Sequence, residues 1–324
     1  MSTETEPGGN RHDYAPSGVE RDPSPLATLR RTGSEFMEDN LTDWAAALTY
    51  YGLLSLFPAL IALVSLLGLF GDPKSTTQSL TEIITEIGPE SSAETFSGPI
   101  ESITESRGTA GVAFFVGLGV ALWSASGYVG AFIRASNVIY ETPEGRPFWK
   151  LRPLQLAVTL AMILLLVFLA VGLVMTGPIV DAVAAPLGIG DTAVTIWGIA
   201  KWPVMVAVFL LMVDLLYYAS PNVKLRAFRW VTPGSLVAIV VWVIASALFA
   251  FYVSNFGSYD KTYGTLGGLI ALLIWFWISN LAILFGHQLN AERERSIEIE
   301  EGVPRADREI QLEPRSEPKA PRTS

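Results

Sequence analysis

Lys201, Asp214, Asn222, Asn280, His287, Gln288 and Asn290 are the side chains with the greatest capacity for chemistry, because the sequence around them is overwhelmingly apolar. An ionisable group in such surroundings is costly, and it marks a solute or ion pathway, a proton relay or an internal pair. Asp214 is the sharpest case. Its short side chain cannot snorkel to water as that of Lys201 can, so it must face a partner or a wet cavity. The two are thirteen residues apart, roughly 20 Å along a helix, so they do not pair. Asn280 suits a hydrogen bond between helices. The expectation is one interior cavity shared by Asp214, Asn280 and residues 217–222, with Lys201 near its outer mouth and His287, Gln288 and Asn290 as further polar groups of the pathway. Catalytic chemistry has little to work with. The chain has no cysteine and two histidines, His12 and His287. No HExxH, P-loop or GxSxG pattern occurs. The sequence therefore predicts no catalytic residue, no metal site, no cofactor and no enzyme.

The elements that position these residues are six long apolar stretches, at 44–70, 110–133, 154–179, 196–219, 231–256 and 265–287. Each reaches the ~20 residues needed to cross a ~30 Å hydrocarbon core. Hydrophobic residues make up 50% of the chain and charged ones 16%, so a soluble all-α domain of this composition would expose more apolar surface than water tolerates. The predicted fold is an all-α, polytopic membrane protein with six transmembrane helices, and its first partner is the lipid bilayer. Residues 26–43 read as a short amphipathic helix lying on the membrane before the first span. Residues 75–87 and 90–106 read as a pair of amphipathic external helices between spans 1 and 2. Pro58 and Pro203 kink their spans, and Gly117, Gly264 and Gly267 allow close helix packing.

Charge sets the orientation. Arg30, Arg31, Arg134, Arg146, Lys150, Arg152, Lys224, Arg226, Arg229, Arg293 and Arg295 fall in alternate connections, while the connections between them are poor in Lys and Arg. Basic segments stay in the cytoplasm, so both termini are expected there, in a multi-pass plasma-membrane protein. The net charge of −9 argues against nucleic acid as a partner. Residues 1–25 and 292–324, rich in Pro, Ser and charge, read as disordered cytoplasmic tails around a membrane domain of 26–291.

Four motifs in order carry a family likeness. They are Asp43-Trp-Ala-Ala-Ala-Leu-Thr-Tyr-Tyr-Gly-Leu-Leu-Ser-Leu-Phe-Pro58, Tyr218-Ala-Ser-Pro-Asn222 with Thr232-Pro-Gly-Ser235, Tyr263-Gly-Thr-Leu-Gly267, and Phe285-Gly-His-Gln-Leu-Asn-Ala291. Together they resemble the YihY/BrkB family of inner-membrane proteins over about residues 26–292. The resemblance implies six helices and a permease-like or export role, for a family also labelled as virulence factors and once as ribonuclease BN. Gln288 stands where the family usually has glutamate, and His287 where it has a small residue. Proton or cation transfer by that glutamate would then have no equivalent at Gln288.

Two functions fit these residues. One is transport or export of a small solute or lipid through a polar cavity. The other is a non-transporting scaffold or envelope factor that recruits a partner. A ribonuclease is disfavoured, for want of metal ligands in the membrane region. Substrate and oligomeric state are not written in the sequence.

Overall fold

The computed structural model describes residues 22–70, 110–174, 191–256 and 265–317. Among them are seven helices: α1 (Pro25–Glu38), α2 (Leu41–Phe70), α3 (Ala110–Ile139), α4 (Phe148–Val174), α5 (Asp191–Ala219), α6 (Pro233–Phe256) and α7 (Thr265–Glu300). Each of the six apolar stretches falls on one of α2 to α7. Among the described residues, α4, α5, α6 and α7 are long and apolar enough to cross a membrane. The amphipathic pair expected at 75–87 and 90–106 lies outside the described residues.

Lipid, not water, is the medium that suits these surfaces. On α6, Leu236, Val240, Val243, Ile244, Leu248 and Phe251 are all exposed, which only an apolar solvent makes favourable. The helices pair in antiparallel neighbours. α2 lies along α3, α6 along α7 and α4 against α5, while α7 also meets α2. Pro153 and Pro203 sit inside α4 and α5, where each removes a backbone donor.

The described core gathers at one end of the bundle. There the start of α2, the end of α3, the start of α4, the end of α5, the start of α6 and the last turns of α7 meet. Leu41, Ala45, Leu48, Phe132, Ala135, Leu284 and Ala291 are buried there.

The short helix expected near 26–43 is present as α1. Ser24 caps it, its hydroxyl accepting from the Ala27 amide at 3.3 Å, and Pro25 opens it, as a helix start requires. Its orientation differs from a simple apolar-face-down helix. The inward face is polar, with Thr28, Arg31 and Thr32 buried against α7, while Leu26 and Met37 point out.

The C-terminal boundary needs correction. The domain does not end at 291 and residues 292–317 are not a disordered tail. α7 continues unbroken to Glu300. The chain then folds back as a strap whose Ala306 and Ile310 are buried. Val223 and Pro314 form an antiparallel bridge, and the amides of Lys224 and Arg315 donate to the carbonyls of Glu313 and Asn222 at 2.8 Å each. A run of charge suggests solvated chain, but Glu292, Arg295 and Glu298 of this segment are buried and partnered within the bundle.

Candidate functional site

Asp214 projects from the last turns of α5 and is 1% exposed. The Thr232-Pro-Gly-Ser235 motif, which turns the chain into α6, supplies its partners. The Thr232 hydroxyl donates to one carboxylate oxygen at 2.6 Å and the Ser235 hydroxyl to the other at 2.9 Å. Asn290 of α7 completes the arrangement. Its Nδ2 donates to Thr232 Oγ1 at 2.9 Å, and its Oδ1 accepts from the Gly234 amide at 2.9 Å. Among the described residues no guanidinium or ammonium is paired with Asp214, so hydroxyl donors alone hold this carboxyl group in an apolar helix.

Asp214 lines a cleft of about 60 Å³ with Tyr217, Tyr218, Thr232 and Asn290, and Arg226, Arg229, Arg293 and Glu294 stand around it. Arg226 is turned to Glu301 by two hydrogen bonds of 2.6 Å and to Glu294 at 3.3 Å. The Glu301 hydrogen bonds hold the Arg226 guanidinium above its ordinary pKa. The cleft thus has a carboxylate at its base and a basic rim partly neutralised by α7.

The remaining expected residues do not line this cleft. Asn280 does not line the cleft. Its Oδ1 accepts from Tyr128 at 2.8 Å and its Nδ2 donates to Thr49 at 3.2 Å, tying α7 to α3 and α2. Asn222 is fully buried beneath the strap. Its amide donates to Asn137 Oδ1 at 2.8 Å, and its Nδ2 donates to the carbonyls of Pro143 and Ser316 at 3.0 and 2.9 Å. It fastens three connections together. Lys201 is 7% exposed, with its ammonium 5.2 Å from the Trp202 ring centre, far along α5 from the cleft. Pro58, Gly117 and Gly267 fall within α2, α3 and α7, and Gly264 lies outside the described residues.

His287 and Gln288 are fully buried rather than placed on a pathway. The His287 ring stacks on Tyr217 at 4.4 Å, with Phe132 and Tyr140 at 5.5 and 5.4 Å. Its Nε2 lies 2.9 Å from the Ser136 hydroxyl, and its Nδ1 has no hydrogen-bond partner among the described residues. Gln288 Nε2 is 3.5 Å from Glu292 Oε1. A buried carboxylate therefore does exist on this face of α7, one turn beyond Gln288.

That carboxylate belongs to a cluster that the tail assignment concealed. Glu292 accepts from Arg31 Nε at 3.0 Å, and both side chains are essentially inaccessible. Arg295 reaches Glu141 at 3.0 Å, Glu35 at 3.3 Å and Glu292 at 3.6 Å. Burial pushes the Glu35 carboxyl up, and Arg295 only partly offsets this because Glu292, Glu141 and Glu38 push the same way. Glu141 holds a left-handed backbone (φ 51°) while its second oxygen accepts from the Ile310 amide at 2.9 Å. Nearby, burial also raises Glu144, but the hydrogen bonds and charge of Arg146, with Asn137, outweigh it and hold the carboxyl below its usual value. A helical reading of Glu292-Arg-Glu-Arg295 as a continuation of the preceding span would have placed Glu292 and Arg295 on one face of α7, but not named their partners on α1 and the α3 end.

Known proteins were compared with this arrangement in view. The model of the family described as "Virulence factor BrkB" matches residues 32–310. The ribonuclease-like protein YfkH of Bacillus subtilis is 36% identical over 251 residues, which cover 76% of this chain and 88% of that protein. A protein of Aeromonas salmonicida named "UPF0761 membrane protein" is 25% identical over 288 residues, covering 87% of this chain and 93% of its own. No solved structure matches.

Proposed function

The chain belongs to the BrkB virulence-factor family of integral membrane proteins, and from that premise we propose that it is a six-span plasma-membrane protein with a transport- or export-like role for a small solute or lipid. Both termini lie in the cytoplasm in this reading, supported by the basic connections that meet at the charged end of the bundle. The observation that carries the role is Asp214. It is a buried carboxylate on an apolar helix, held only by hydroxyls and an asparagine relay, at the base of a cleft with a basic rim. Such a residue in a membrane helix is by default a functional group.

The test is Asp214→Asn in a strain whose loss of the gene gives a phenotype. The expected result is loss of complementation with normal expression and a monodisperse protein in detergent. Full complementation would remove the proposed role. A fall in thermal stability with complementation retained would favour the second reading, a scaffold. The tightly ion-paired charged end of the bundle supports that alternative.

The protein has no ribonuclease activity in this proposal. Among the described residues, the cluster of buried carboxylates around Glu292 is paired with Arg31 and Arg295, whose guanidiniums occupy the place where a metal would need open ligands. Purified protein is expected to leave tRNA intact with Mg²⁺ or Mn²⁺ present. Cleavage that follows the protein through purification and disappears on Asp214→Asn or Glu292→Gln would overturn this.

A further inference from the structure

Two of the chain's arginines are conspicuous for what they lack. Arg31, Arg146, Arg226 and Arg295 each pair with a glutamate. Arg134 and Arg152 have no carboxylate partner among the described residues. Arg152 instead lies flat over Trp123, its guanidinium 3.7 Å from the ring centre, and Arg134 stands 5.8 Å from the Tyr51 ring. Arg152 donates to Gln155 Oε1 at 2.9 Å, while its buried Nε has no acceptor. Gln155 and Arg134 meet over Gly130. A Cβ there would sit 3.1 Å from Gln155 Nε2 and 3.7 Å from an Arg134 terminal nitrogen.

Beside them α2, α3 and α4 enclose a cavity of about 510 Å³, separate from the Asp214 cleft, lined by Tyr51, Leu54, Trp123, Leu151, Arg152 and Gln155. It is cationic at one edge and aromatic and aliphatic elsewhere. Leu54 and Trp123 are exposed on the bundle exterior, so it opens sideways. Trp123 and Phe148 of its lining are more than half exposed, as are their sequence neighbours Trp149 and, next to Tyr51, Tyr50. Aromatic side chains in such a belt sit at headgroup depth. A guanidinium offers paired donors to phosphate, and an unneutralised one at that depth seeks an anion.

We infer that this lateral cavity is a binding site for an anionic glycerophospholipid, its phosphate held by Arg152 and Gln155, with Arg134 beside Gln155 adding positive charge at its edge, and an acyl chain lying along Tyr51, Leu54 and Trp123. The site does not depend on the transport role proposed for Asp214.

The full-length protein in non-ionic detergent is offered phosphatidylglycerol or phosphatidylcholine of the same acyl chains, and retained lipid is read by native mass spectrometry. Phosphatidylglycerol is expected to be retained about tenfold more tightly, because both lipids carry the phosphate but only phosphatidylcholine brings a quaternary ammonium that the two arginines repel. Arg134→Gln with Arg152→Gln should abolish the preference, while Arg305→Gln, at an exposed distant arginine, should keep it. Leu54→Trp, which fills the apolar part without touching a charge, should weaken retention and decides the matter if the double variant is not monodisperse. Equal retention of the two lipids, a preference that survives the double variant, or one that survives Leu54→Trp overturns the proposal. So does displacement of the lipid by millimolar glycerol phosphate, which would mark a site for a soluble anion.

Discussion

At the scale of single residues, the Arg31–Glu292 pair shows how much depends on completeness. A buried ion pair adds little to stability when intact, because desolvation offsets attraction, but leaving one partner alone costs about 3–5 kcal/mol. Glu292→Gln is therefore expected to lower the melting temperature in detergent sharply. The double change Arg31→Met with Glu292→Leu should restore most of the loss, since Arg295 retains Glu35 and Glu141. A double variant as unstable as the single one would contradict this account. Asp214 and Asn290 were legible in the sequence because polarity inside an apolar helix demands a partner. Glu292 was not, because a charged run after a span reads as solvated until its three-dimensional partners on α1 and the α3 end are known. Asn280, Asn222 and His287 were legible as buried polar groups but not as separate fastenings. Sequence distance carries no information about which helix faces which.

At the scale of elements, α6 and α7 approach each other closely at Gly234 and Gly286. A Cβ on Gly286 would overlap the Gly234 carbonyl and come within 2.7 Å of Ala238 Cβ and the Tyr217 hydroxyl. Neither helix could stay in place. Gly286→Val is expected to cost about 1–3 kcal/mol or more from overpacking, read as a lower melting temperature, whereas Gly33→Ala, with nothing within 4 Å, should cost nothing. Equal behaviour of the two would refute the close-contact argument. The helix positions themselves were readable from apolar length, and each stretch met its helix. The glycines that matter were not, since Gly234 and Gly286 stand in motifs where nothing local distinguishes them from Gly117 or Gly267. The continuation of α7 past the apolar stretch was hidden for the same reason that Glu292 was: hydropathy marks where lipid ends, not where a helix does.

At the scale of the whole molecule, the proposed six-span arrangement makes a direct claim about sidedness. In a chain without native cysteine, single cysteines report cleanly. Arg229→Cys is expected to resist an impermeant maleimide in intact cells and to react after lysis, while Asp191→Cys, at the first residue of α5, should react in intact cells. The reverse pattern would invert the molecule, and labelling of both would break the span count. The charged end also has an order of assembly written into it. The strap that bridges Val223, holds Asn222 and feeds the Ile310 amide to Glu141 is encoded after every helix it fastens. During synthesis all the helices leave the ribosome before it does. Until then Glu141 and Asn222 have no strap to bind, so the bundle spends its insertion with that face unlatched and is locked only once residues 301–317 have emerged.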